Sequence, residues 1–289
     1  MSAARGTPMN VAQPRIGAVE VAQARSPRRR ATRAVAVVRG AIAIAILLAA
    51  WEYFARSGIF SRAITPPLET IAAALVAMIA DGSIFKHTLA TMLRVAVGML
   101  IALAIAIPLG MLMGRHPTWE RVLRPPVTVL MPIPSLAWVP LVVLWFGIGN
   151  VATVLIVVYA STFSLLYNVW MGVKTINPIW VRAAHVMNAH GPRLFRHVIW
   201  PAALPSIITG IRLAFGRAWI AVIGGELLAS PQWGLGKLIF DAKEFLNADT
   251  MLAALFVIGV IGLFFERVVF QLLEQATVNR WGMASGVRR

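Results

Sequence analysis

The sequence contains no cysteine. A disulfide scaffold, a thiolate nucleophile and a Cys-ligated metal are excluded together. Charge is scarce as well. Charged residues make up 13 % of the 289, against about 25 % in an average soluble domain, too few to cover a water-soluble fold of this size. Acidic residues are scarcest, 11 against 27 Lys and Arg. What fills the chain is apolar: 59 % hydrophobic residues and a mean hydropathy of +0.76. About 20 apolar residues cross a bilayer core, and six stretches meet that length. The composition predicts an all-α polytopic membrane protein with six transmembrane helices.

The usual chemical motifs are also missing. The five histidines, His87, His116, His185, His190 and His197, never fall at HExxH spacing, and there is no GxSxG elbow. Gly236-Lys237 is followed by Leu238 and has no earlier glycine at phosphate-loop spacing. No metal ligands, no catalytic set and no nucleotide-binding loop are read on this chain. An integral-membrane enzyme is therefore disfavoured, and a passage that takes its energy from another subunit fits better.

The expected spans run from Ala34 to Ala55, His87 to Met113, Pro126 to Phe146, Val151 to Val173, Ala203 to Leu228 and Met251 to Leu273. The amphipathic segment Pro67 to Ala80, ended by Asp81-Gly82, reads as a surface scaffold element and not a seventh span. Residues 1–33 read as a disordered basic cytoplasmic tail, with 34–289 as the membrane domain: the first 40 residues carry eight Arg and one Glu, interrupted by Pro8, Pro14 and Pro27. No aromatic interleaves these arginines, which argues against nucleic acid. Arg28-Arg29-Arg30 weakly matches a twin-arginine signal, but no small-residue cleavage site follows. With the N-terminus inside, the inner segments hold eighteen Lys and Arg and the outer segments five, Arg56, Arg62, Lys86, Lys237 and Lys243. That asymmetry predicts both termini in the cytoplasm.

The longest inner loop, residues 172–200, carries the most information. Trp180, Ala183, Ala184 and Met187 recur at i, i+3, i+4 and i+7, an apolar stripe on a short helix. Asn188 follows as a helix stop, and His190-Gly191-Pro192 reads as a restart. The sequence here resembles the membrane permease subunit of bacterial ABC importers. That family's loop carries Glu-Ala-Ala, three residues, Gly, nine residues, then Ile-x-Leu-Pro; this chain has Arg182-Ala183-Ala184, Asn188 at the glycine position, and Val198-Ile199-Trp200-Pro201. The segment Pro132-Ile133-Pro134-Ser135-Leu136-Ala137-Trp138-Val139-Pro140-Leu141 through Trp145 to Gly149, the stretch Val198 to Glu226, and Phe240 to Leu246 are similar to the branch importing nitrate, taurine and aliphatic sulfonates.

The resemblance implies a type I ABC importer permease fold in the bacterial inner membrane and no cofactor on this chain. ATP and Mg would sit on a partner ATPase. It further implies a permease homodimer, two cytoplasmic ATPases and a periplasmic binding protein delivering a small, anionic solute. Trp180, Arg182, Ala183, Ala184, Met187 and Asn188 would form the coupling element to the ATPase. Asn is the best replacement for Gly in a left-handed helix stop, whereas Arg182 in place of Glu points to a differently tuned partner. The alternative from the residues alone is a stand-alone secondary transporter or channel.

Five prolines, Pro125, Pro126, Pro132, Pro134 and Pro140, crowd the start of the third span. Such breaks either line a cavity or only kink a packed helix; Ser135 and Trp138 are the candidate lining residues. The fifth span carries Arg212, Arg217 and Glu226, functional suspects by default in lipid. At 100° per residue Arg212, Trp219 and Glu226 share a face with Gly216 and Ile223, and this face is expected to line the pathway. Arg217, with Ala214, Ala221 and Gly225, is expected on a packing face in a structural ion pair or hydrogen-bond network. Glu266 and Arg267 read as interfacial anchors.

Overall fold

The computed structural model describes residues 27–61, 63–229 and 231–273. Helix α1 (Pro27–Arg56) takes up the first apolar stretch. It begins at Pro27, so residues 27–33, assigned to the tail from composition, are helical, and the rest of the tail lies outside the described residues. Its apolar part, Val38–Arg56, is exposed nearly all round, as suits a helix among lipid.

From Phe54 onward the chain forms one compact unit. Pro66 and Pro67 stop the backbone from continuing as helix, and α2 (Leu68–Ala80) starts immediately after them. It ends at Asp81 and the left-handed Gly82 (φ +74°). The Asp81 carboxylate then accepts from the Ser83 N–H at 2.8 Å at the start of α3 (Ser83–Arg115). That bond holds the Asp81 pKa below the usual carboxylate value. Helix α2 packs on α3 and on the last helix, as a scaffold element would.

The third expected span is two helices. α4 (Pro117–Leu130) opens with proline at its first turn, and α5 (Val139–Phe146) follows a 3₁₀ turn over Ser135–Trp138. The two arms meet at 86°. α6 (Asn150–Lys174) then leads into the short α7 (Pro178–Val186). α8 (Gly191–Ala229) is the longest helix of the unit and contains a π-helical turn over Phe195–Ile199. α9 (Leu235–Glu244) and α10 (Ala248–Leu273) complete the described chain. Among the described residues five helices are long and apolar enough to cross a membrane, and six if the bent pair counts as one span.

α6 is the centre of the packing, between α3 and α8. Against α3 it runs parallel, because Gly98 meets Val157, Gly110 meets Val169 and Gly114 meets Val173, a constant separation of 59 residues. A Cβ at Gly110 would stand 2.7 Å from the Val169 Cβ, so these glycines let the backbones approach closely. Against α8 it runs antiparallel: Thr153 meets Gly225, Asn168 meets Gly210, and Gly172 meets Ser206.

Candidate functional site

Three features carry chemistry. The first is a buried charge network at the end of the bundle where α3 and α6 begin and α8 finishes. Glu226 on α8 is 0 % exposed and Arg94 on α3 is 7 % exposed. Arg94 Nη1 donates to Glu226 Oε1 at 2.5 Å, while its Nε and Nη2 donate to the Asn150 side-chain oxygen at 2.9 and 2.6 Å. The Thr91 hydroxyl lies 2.9 and 3.0 Å from the two carboxylate oxygens and accepts from the Leu235 N–H at 2.9 Å. Gly236 N–H closes the set, donating to Glu226 Oε2 at 2.9 Å. A carboxylate taken out of water needs each of these donors. The loop ahead of α9 must lie directly on the carboxylate, since a Cβ at Gly234 would stand 2.5 Å from the Glu226 Cδ, and Gly234 has φ +157°. His87 Nδ1 is within 2.7 Å of the Gly234 carbonyl, with Trp233 packed edge-on to its ring. The network ties four helices and one loop together.

The second feature is the break in the third span. Pro134 has no N–H to return to the Leu130 carbonyl four residues back. The Tyr159 hydroxyl donates to that carbonyl at 2.7 Å, and Ile133 N–H donates at 3.1 Å. Residues 131–136, Tyr159, Ala160, Phe163, Arg217 and Ile220 line an open cavity of about 380 Å³. Ser135 lies in its wall. Trp138 stands behind Tyr159, ring centroids 5.5 Å apart, and packs with the Val139, Val142 and Ile156 cluster; it is not in the cavity wall.

The structure does not bring Arg212, Trp219 and Glu226 to one cavity. Arg212 forms an ion pair with Glu266 of α10 on the exposed side, so Glu266 is a partner and not a lone anchor. Trp219 is buried, stacked near Phe215 and against Gly262. Glu226 is sealed in the network above. Arg217, expected on a packing face in an ion pair, is instead exposed and lines the cavity at the break, with no hydrogen bond or ion pair among the described residues. A helical wheel shows which residues share a side; it does not show which side meets a neighbour. No motif or spacing in the sequence marks Arg94, Thr91 and Asn150. Their one signal is that a buried Arg in an apolar helix demands a carboxylate, and Glu226 is one of few acidic residues within a span.

The third feature is the loop helix α7. Asn177 caps its start, the side-chain oxygen accepting from Ile179 N–H at 2.9 Å. Its end is closed by Asn188 at φ +56°, with Asn188 N–H donating to the His185 carbonyl and Ala189 N–H to the Ala184 carbonyl. This is the left-handed stop read from the sequence, in a Schellman arrangement. Trp180, Arg182, Ala183 and Met187 are exposed, and Ala184 is turned inward onto the chain's own core beside Val181. Val186, not picked from the stripe, is 89 % exposed and Met187 82 %.

Residues 106–277 match the family described as binding-protein-dependent transport system inner membrane component. The chain is 32 % identical over 228 residues to the taurine transport system permease of Escherichia coli, covering 77 % of this chain and 82 % of that one. To the putative aliphatic sulfonates transport permease of Bacillus subtilis it is 30 % identical over 238 residues, covering 82 % and 86 %. The solved structure of the inward-facing MetNI methionine ABC transporter is similar in fold, with a TM-score of 0.59 at 18 % identity, over 68 % of this chain and 97 % of that one.

Proposed function

Because the chain belongs to the family of binding-protein-dependent transport system inner membrane components, we propose that it is the membrane-spanning half of an ATP-driven importer for a small organic anion of the sulfonate class. In this reading two copies form the passage and two cytoplasmic ATPases, carrying ATP and Mg, drive it. A periplasmic binding protein delivers the solute. Both termini lie on the cytoplasmic side of a bacterial inner membrane. The substrate class is supported by the named activities of the taurine and aliphatic sulfonate relatives.

The observation that carries the proposal is the tip of α7. Val186 and Met187 are almost fully exposed, on a helix fixed by a cap at each end. Many exposed apolar side chains of this chain lie on helices long and apolar enough to cross a membrane. α7 is not one of these helices: it lies in the segment between Lys174 and Arg196, which in this reading is a positively charged loop in water on the cytoplasmic side. An exposed apolar tip held rigid in water is a docking surface for a soluble protein. The coupling residues are then Trp180, Arg182, Ala183, Val186 and Met187 by contact, with Ala184 and Asn188 positioning the helix.

The test is biochemical. The purified chain should hydrolyse no ATP, and adding its cognate ATPase should give hydrolysis stimulated by the loaded binding protein. ATP turnover by the isolated chain, or failure of the ATPase to co-purify, would contradict the proposal.

A further inference from the structure

The cavity at the broken span has one cation in its lining, Arg217. Arg94 has Glu226 and Arg212 has Glu266, yet Arg217 reaches the cavity with no carboxylate among the described residues. Among the described residues the Ser135 hydroxyl has no hydrogen-bond partner either, and no Asp or Glu lines the space. Its remaining walls are apolar or aromatic: Pro132, Pro134 and Phe163, with the Tyr159 hydroxyl already committed to the Leu130 carbonyl. One cation, one hydroxyl and apolar walls in about 380 Å³ fit a small organic molecule.

We infer that this cavity receives the sulfonate or carboxylate of a small organic monoanion, with Arg217 as its charge partner and Ser135 as a hydrogen-bond donor. The inference rests on the reading of the chain as a solute-passing permease and deepens it. Two competing solute classes fit poorly for physical reasons. A hydrated inorganic anion such as nitrate would give up water to apolar walls that return no hydrogen bonds. A zwitterion such as taurine would bring an ammonium group into a space without a carboxylate. An alkanesulfonate places its charge at Arg217 and its chain against Pro132, Pro134 and Phe163.

The absence of cysteine makes the test clean. Ser135→Cys introduces a single thiol into the cavity of the full chain, reconstituted with its ATPase. Its labelling rates are compared for the anionic sulfonatoethyl and the cationic trimethylammonioethyl methanethiosulfonates. Relative to a free thiol, the anionic reagent should be favoured by about tenfold. Arg217→Gln in the same background should abolish that preference, and Arg217→Lys should keep it. Butanesulfonate should slow the labelling; nitrate or taurine at equal ionic strength should not. A reagent preference indifferent to Arg217, or equal protection by nitrate, would overturn the inference. If Ser135→Cys does not assemble, Ile220→Cys at the cavity rim gives the same readout. The unsubstituted complex separates the two levels: hydrolysis stimulated by the binding protein, with no charge preference in the cavity, removes this inference and leaves the importer reading standing.

Discussion

Glu226 has no contact with water, and three donors, the Arg94 guanidinium, the Thr91 hydroxyl and the Gly236 N–H, hold its charge in place. Removing one side of such a pair strands the other, at a cost of about 3–5 kcal/mol. Arg94→Gln and Glu226→Ala should each lower the melting temperature of the detergent-solubilised chain sharply. The double variant Arg94→Gln/Glu226→Ala should lose less than the two single losses added together, because no charge is stranded; strict additivity would show that the pair is not coupled. Asn188 makes a complementary prediction. Asn188→Gly should be close to neutral, whereas Asn188→Val, β-branched at φ +56°, should cost on the order of 1 kcal/mol or more. The readout is loss of ATPase co-purification without loss of membrane insertion. Asn188 was legible in the sequence because a helix stop is a local signal. The Arg94–Glu226 pair was not, since its partners are 132 residues apart and only the demand of a buried charge connects them.

At the scale of single elements, the third span shows how far proline spacing carries. Five prolines predicted a disrupted helix, and two arms meeting at 86° are its realised form. What they could not reveal is the repair: Tyr159, on the next helix, supplies the donor that Pro134 lacks. Tyr159→Phe should destabilise the chain by about 1 kcal/mol, as for one lost hydrogen bond, and should enlarge labelling differences at Ser135→Cys as the break loosens. An unchanged melting temperature would mean the Ile133 N–H alone satisfies that carbonyl. α7 teaches a different lesson. Its apolar stripe predicts a helix, yet Ala184 faces inward and Val186 outward, because both sides of this short helix carry apolar residues. Val186→Asp should therefore weaken ATPase association at least tenfold, corresponding to about 1.4 kcal/mol, while leaving the melting temperature of the chain alone unchanged. Arg182→Glu should weaken it too, and a compensating charge reversal on the ATPase should restore it.

Over the whole molecule, the six apolar stretches and their approximate ends were legible from hydropathy, because bilayer thickness fixes their length. Helix neighbours were not. Lipid-facing and protein-facing residues are equally apolar, so a periodic pattern does not say which face is packed. That ambiguity is why the side of α8 bearing Arg212, Trp219 and Glu226 was expected in the pathway while Arg217 on the other side lines the cavity. Small residues held more information than charges: Gly98, Gly110 and Gly114 mark where α3 lies on α6, and Gly110 to Gly114 has the spacing of a close-packing motif. Gly110→Leu should force these helices apart and abolish assembly in the membrane.

The most direct test of the central claim is uptake of a labelled alkanesulfonate into proteoliposomes holding this chain and its cognate ATPase, with the binding protein outside and ATP inside. The account predicts accumulation above the external concentration that requires all three components and ATP. Equal uptake without ATP, or without the ATPase, would make the chain a stand-alone passage and contradict it.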